Sequence, residues 1–186
     1  MILGISGKKR VGKDTLGHYL ELIYGFQRVS FANRMKEVAR QLGWDGKKDT
    51  RGRQFLQELG MAVQHYDQMY WTRYAMKHLE ELQQQGYKHF AFTDLRFPHE
   101  AKAIKAGGGF VVRIRREDEI NTDPHVSENA LDDWKDWDYE IRNVKDRFEY
   151  FYKQIDEMIQ HFNVMLEHRG CTEEELAVPV SNLEVV

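Results

Sequence analysis

The segment Gly7-Lys8-Lys9-Arg10-Val11-Gly12-Lys13 stands between a short apolar run, Ile2–Ser6, and a helical repeat of Leu16, Tyr19, Leu20 and Ile23. Apolar residues three and four apart define one face of a helix, and Gly25 supplies its stop. The run before the glycines reads as a buried strand. A strand passing through a glycine loop into a helix aims the loop's backbone N–H groups, and about half a positive charge from the helix end, at one point. Glycine at both ends lets the backbone curl around an anion. The spacing Gly-x-x-x-x-Gly-Lys is that of a phosphate loop, whose lysine is expected to reach the β- and γ-phosphates of a nucleotide. The expected nucleotide-binding residues are Gly7, Lys8, Lys9, Arg10, Val11, Gly12, Lys13, Asp14 and Thr15, with Arg10 placed on the transferring phosphoryl. One position departs from the motif. Asp14 stands where Ser or Thr usually binds Mg²⁺, so Thr15 either takes that role or only contacts phosphate.

A loop of this kind works at the end of a strand in a parallel sheet, and the rest of the chain alternates accordingly. Residues 27–31, 88–93, 110–114 and 139–141 read as further strands. Helices are expected over 33–43, 52–67, 68–85 and 100–106, the last stopped by Gly107-Gly108-Gly109. Phe148, Phe151, Tyr152, Ile155, Met158, Ile159 and Phe162 form one stripe on a closing helix. Residues 115–136 are polar and charged and read as an irregular lid, and the tail over 169–186 is expected to be poorly ordered. This order predicts an α/β fold in three layers, a parallel sheet of about five strands covered by helices on both faces. The length, 186 residues, fits one domain, taken here as residues 1–168.

Ligands on such sheets bind beyond the carboxyl ends of the strands. Phe90-Ala91-Phe92-Thr93-Asp94 ends an apolar strand in a carboxylate. In phosphate-loop proteins that position supports Mg²⁺, directly or through water. Arg96 follows, and its planar fork suits a phosphate. The plain alternative is that Asp94 caps the next helix and Arg96 makes a surface salt bridge. The functional reading makes Lys13, Arg10, Asp94 and Arg96 the catalytic set and Thr15 and Asp94 the metal contacts. Tyr66, Tyr70 and Trp71 lie among arginines in the helical stretch, where they serve either to stack a base or to fill a helix core.

Several segments together resemble the deoxynucleoside monophosphate kinases of phages and bacteria. They are Gly7 through Thr15, Ser30-Phe31-Ala32 with Lys36, then Arg53, Leu56, Gln57, Gly60 and Trp71. Thr93-Asp94-Leu95-Arg96-Phe97-Pro98-His99-Glu100-Ala101 follows, then 108–116, His125-Val126-Ser127-Glu128 with Leu131-Asp132, and 138–143. The resemblance runs from about Ile2 to Phe162 and implies a P-loop kinase fold. It implies ATP as phosphoryl donor with Mg²⁺, and a deoxynucleoside monophosphate as acceptor, converted to the diphosphate. The acceptor-binding region would span residues 33–86, with Arg34, Lys36, Arg53, Gln57, Trp71, Asp94 and Arg96 as acceptor-binding residues. Arg115 and Arg116 would close over the phosphates from the lid at 115–136, which Ser127 and Glu128 would order, with His125 structural. Met61-Ala62-Val63-Gln64 departs from the family pattern, Gly-Thr-x-x-Arg, and removes an arginine expected at the acceptor.

The charge balance is −3, so no bulk positive charge recruits nucleic acid. Cys171 is the single cysteine and cannot form an internal disulfide. No apolar run is long enough for a membrane span. The expected partners are therefore small-molecule nucleotides, without nucleic acid or membrane, in the cytoplasm, or the host cytoplasm for a phage protein; a homodimer stays open. Two rivals remain: a P-loop kinase for another phosphorylated acceptor, phosphomevalonate-like or dephospho-coenzyme A-like, and a non-enzymatic nucleotide-binding switch.

Overall fold

The computed structural model describes residues 1–116, 125–172 and 175–177. Strands β1 (Ile2–Ser6), β2 (Gln27–Val29), β3 (Phe90–Phe92), β4 (Phe110–Arg116) and β5 (Tyr139–Asn143) form one parallel sheet in the order β2-β3-β1-β4-β5. Helices α1 (Lys13–Tyr24), α2 (Asn33–Gln41), α3 (Thr50–Tyr66), α4 (Tyr70–Gln84), α5 (Pro98–Ala106), α6 (Val126–Asn129) and α7 (Phe148–His168) make the connections and the closing layer. β1 is central, so the phosphate loop emerges from the middle of the sheet.

Side chains alternate across a strand, and here both faces are covered. Leu3 and Ile5 of β1, Phe110, Val112 and Ile114 of β4 and Ile141 of β5 share one core with Leu16 and Leu20 of α1 and the stripe of α7. Phe90, Phe92 and Val111 point the other way, onto Ala75 and Leu79 of α4 and Ala101 and Ile104 of α5.

Five differences from the sequence reading have physical causes. β2 stops at Val29 because the next residues turn toward Asp94, with Phe31 N and Ala32 N donating to its carboxylate. β4 continues through Arg116, because Arg115 and Arg116 pair with Arg142 and Asn143 of β5 and Arg115 Nε meets Glu140 at 2.9 Å. The first two residues of the expected lid are thus strand, and its later part includes α6; residues 117–124 of the expected lid lie outside the described residues. Phe148 is exposed, since it opens α7 ahead of the first core contact at Phe151. Gln154 takes a place in the buried stripe instead, its amide bridging Arg142 N and Arg142 O at 3.0 and 2.9 Å. Part of the tail is ordered: Leu176 and Ala177 join the core, and the Asn163 amide accepts from Ala177 N at 2.9 Å and donates to Ala177 O at 2.7 Å.

Candidate active site

The site is assembled at the carboxyl ends of β1, β3 and β4. Gly7 and Gly12 have φ of 143° and 109°, a region that side chains disfavour. Space is equally decisive. A Cβ on Gly7 would lie 2.5 Å from Ile114 O, and one on Gly12 would lie 2.7 Å from Asn143 Nδ2. Between them Arg10 is exposed and holds a left-handed φ of 67°. Asn143 Nδ2 donates to Val11 O at 2.8 Å, and Arg116 Nη1 donates to Arg10 O at 3.4 Å. β5 and β4 thereby brace the loop from outside. Lys13 Nζ donates to Gly7 O and Lys8 O, both at 2.6 Å, and closes the loop on itself.

The end of β3 lies alongside. Asp94 accepts from Ser30 Oγ at 2.5 Å, Ala32 N at 3.1 Å and Phe31 N at 3.2 Å, which ties β3 to the turn after β2. Burial pushes the Lys36 ammonium below its ordinary value, and the nearby Asp94 charge acts against that shift. Glu100 is buried at the start of α5 and accepts from Arg96 N at 2.7 Å and Phe97 N at 3.0 Å. Burial pushes its carboxyl up to about 8, against those two hydrogen bonds. The backbone of the Asp94–Phe97 turn is fixed from both ends.

A cleft lies between the phosphate loop and this turn, lined by Gly7, Lys8, Arg96, Arg113, Glu128 and Trp137 among others. Arg96 Nη1 pairs with the Glu128 carboxylate and lies 3.4 Å from Ser127 O. Lys8 Nζ donates to Glu128 O at 2.7 Å and Asn129 Oδ1 at 3.1 Å and pairs with Asp132. His125 caps α6, accepting from Ser127 N at 3.2 Å. The Arg113 guanidinium sits 5.6 Å from the Trp137 ring centre. Beside β2, Arg34 stacks over Tyr74 at 4.8 Å and pairs with Glu37 at 3.1 Å, in a groove shared with Ser30 and Asn33.

Lys8, Lys13, Asp94 and Arg96 are thus brought together, with Lys36 close to Asp94. Lys9, Arg10, Asp14 and Thr15 lie on the exposed side of the loop. Asp14 turns outward and pairs with Arg28 Nη2 at 3.3 Å. Arg115 is committed to Glu140 on the edge strand, whereas Arg116 reaches the loop. Arg53 Nε donates to Lys48 O at 2.7 Å, at the head of α3, and Gln57 is half-buried one turn later. Of the two roles open to Trp71, stacking a base or filling the helix core, the structure favours the core, against the acceptor contact that the resemblance implies: the residue is only 4% exposed and its N–H is donated to Gly60 O at 3.2 Å. An indole packed on that side belongs to the helix core. Arg28, Asn143 and Asp132 join the site without a role foreseen for them, through Asp14, Val11 O and Lys8.

A family model described as deoxynucleotide monophosphate kinase matches residues 41–155, more than half of the chain. The chain belongs to the deoxynucleotide monophosphate kinase family. It is a kinase with a nucleotide-binding phosphate loop on a parallel three-layer sheet. A protein of Acanthamoeba polyphaga mimivirus, provisionally named for the same activity, is 25% identical over 192 residues, covering 89% of this chain and 99% of that one. The deoxynucleotide monophosphate kinase of Enterobacteria phage T4 is 32% identical over 82 residues, covering 42% of this chain and 34% of that protein. Among solved structures, a dephospho-CoA kinase from Campylobacter jejuni has 14% identity and a TM-score of 0.49, covering 87% of this kinase and 96% of that chain. No helix among the described residues of this kinase is long and apolar enough to cross a membrane.

Proposed function

We propose that the protein transfers the γ-phosphoryl of ATP to a deoxynucleoside 5′-monophosphate, giving a deoxynucleoside diphosphate and ADP. The observation that carries this reading is the shared cleft, where Lys8 of the phosphate loop and Arg96 of the β3 end face one space. ATP phosphates would fit the loop, because the positive φ of Gly7 and Gly12 lets its backbone N–H groups curl around an anion. Lys13 would exchange its two carbonyl partners for β- and γ-phosphate oxygens. Arg96 would receive the acceptor phosphate, which carries about two negative charges near neutral pH.

Phosphoryl transfer depends mainly on positioning and charge neutralisation. An acceptor phosphate oxygen forms the new bond to the γ-phosphorus, and the bond to the β–γ bridging oxygen breaks as ADP leaves. That nucleophile is already ionised, so the chain need supply no strong base. Arg96, Lys36 and Arg34 would offset the acceptor's charge. Mg²⁺ would neutralise the transferring charge. Among the described residues no cluster of three His, Cys, Asp or Glu side chains could hold a metal, so the phosphates and water would be its main ligands. Thr15 presents an exposed hydroxyl, and Asp94 Oδ1 accepts one hydrogen bond, so both fit as outer contacts. Free nucleotides as substrates are consistent with the cytoplasm, and the viral relatives favour that of a host.

The test is ADP release, followed by a coupled assay with ATP and Mg²⁺ against each of the four dNMPs. At least one should give dNMP-dependent turnover, with the dNDP as product. No turnover above the acceptor-free rate with any of them would refute the reading. Turnover with dephospho-coenzyme A or phosphomevalonate instead would move the protein to another acceptor class.

A further inference from the structure

The segment 127–132 roofs the cleft, and the reading above leaves it without contact to substrate. Glu128 is its best-enclosed acidic side chain, 9% exposed, beside an Asp132 that is 49% exposed. Its Oε1 is taken by Arg96 Nη1. Its Oε2 is buried and accepts no hydrogen bond from any described residue. Among the described side chains lining the cleft, it is the only buried polar atom left without a partner. Buried carboxylate oxygens are normally satisfied, so an orphaned one on a residue that lines a substrate cleft calls for a donor carried by the ligand.

We propose that Glu128 Oε2 accepts the 3′-hydroxyl of the bound deoxynucleotide, so that Glu128 reads the sugar while Arg96 holds the phosphate. The inference rests on the acceptor proposed above. A nucleoside monophosphate offers two kinds of donor, sugar hydroxyls and base N–H groups. The 3′-hydroxyl is the nearer to the phosphate along the covalent frame. The two protein groups are equally close neighbours, joined through Oε1 and Nη1. A 2′-deoxyribose 5′-phosphate has one free hydroxyl, and the cleft has one such orphaned acceptor. Because Glu128 is anchored by Arg96 and its own carbonyl by Lys8, the acceptor atom is held in place before the sugar arrives.

A substrate-by-protein cycle tests this. The best dNMP and its 2′,3′-dideoxy counterpart are compared in the wild-type protein, Glu128→Gln and Glu128→Ala, with ATP binding as the check on folding. A hydrogen bond to a charged group implies that removing the 3′-hydroxyl lowers wild-type kcat/KM by about 10- to 100-fold. In Glu128→Ala the same removal should cost less than about threefold, because the atom that senses the hydroxyl is gone. Glu128→Gln keeps the shape and should fall between, which preserves the test if the alanine variant does not fold. A role confined to orienting Arg96 would slow both substrates equally and leave their ratio unchanged. That result, or a wild-type protein indifferent to the 3′-hydroxyl, overturns the inference while the kinase reading stands. Failure of every dNMP in the wild-type protein overturns the acceptor reading itself, and this one with it.

Discussion

Lys13 and Arg96 divide the work at the residue scale by their chemistry. Lys13 is a point charge on a flexible stem, parked on Gly7 O and Lys8 O in a loop that its own helix end makes attractive to anions. Lys13→Ala should therefore lower kcat at least about 100-fold with the fold intact, as read by steady-state kinetics and far-ultraviolet circular dichroism. A loss within about tenfold, or ~1.4 kcal/mol of barrier, would remove it from the transferring phosphates. Arg96 instead offers a planar fork with one prong on Glu128. Lysine at that position keeps the charge but cannot serve both partners. We expect Arg96→Lys to raise KM for the dNMP by about tenfold or more and to leave KM for ATP nearly unchanged. The reverse pattern would put Arg96 on the donor. Trp71 teaches the opposite lesson, since an aromatic beside arginines proved to be a core residue with its polar atom already satisfied.

Among the elements, the entry to α5 carries an unusual ionisation. Glu100 caps the helix start but is buried, and its carboxyl lies at about 8 against an ordinary value of 4.5. Between those values the folded protein retains a proton that the unfolded chain has released. The contribution of Glu100 to stability is full below the unfolded value and falls as pH rises toward the folded one. The steepest loss is about 1.4 kcal/mol per pH unit for one proton. Glu100→Gln stays neutral throughout, so urea unfolding from about pH 5 to about pH 8 should show a slope in the wild type that the variant lacks. Equal slopes would mean that the hydrogen bonds from Arg96 N and Phe97 N keep Glu100 ionised. The turn they hold is the one that presents Arg96, which links the ionisation to the site.

Over the whole molecule, the site hangs on a sheet closed from both ends of the chain. α7 covers one face, and Leu176 and Ala177 finish that layer through Asn163. Leu176→Ala removes apolar contact at the edge of this core and should cost about 2 kcal/mol. For a domain of this size that corresponds to a fall of about 4–8 °C in Tm. Turnover at low temperature should stay near the wild-type value, because the substitution lies outside the cleft. An unchanged Tm would show that the tail contact contributes nothing in solution.

What the sequence determined by itself was local. The phosphate loop, the Asp94 and Arg96 strand end and the stripe of α7 are written within a few contiguous residues, where backbone conformation and side-chain period leave little choice. The order of strands follows in outline from the alternation of apolar runs and helical repeats. Only the tertiary structure decided which distant groups meet. Lys8 finds Asp132, Val11 O finds Asn143 and Asp14 finds Arg28, across 124, 132 and 14 residues. Those meetings depend on the strand order β2-β3-β1-β4-β5, which sets β4 and β5 on one side of the loop and β3 on the other. The burial of Trp71, the capture of Leu176 by the core and the orphaned oxygen of Glu128 share that cause. Each is set by what packs against the residue, and no spacing within one segment records it.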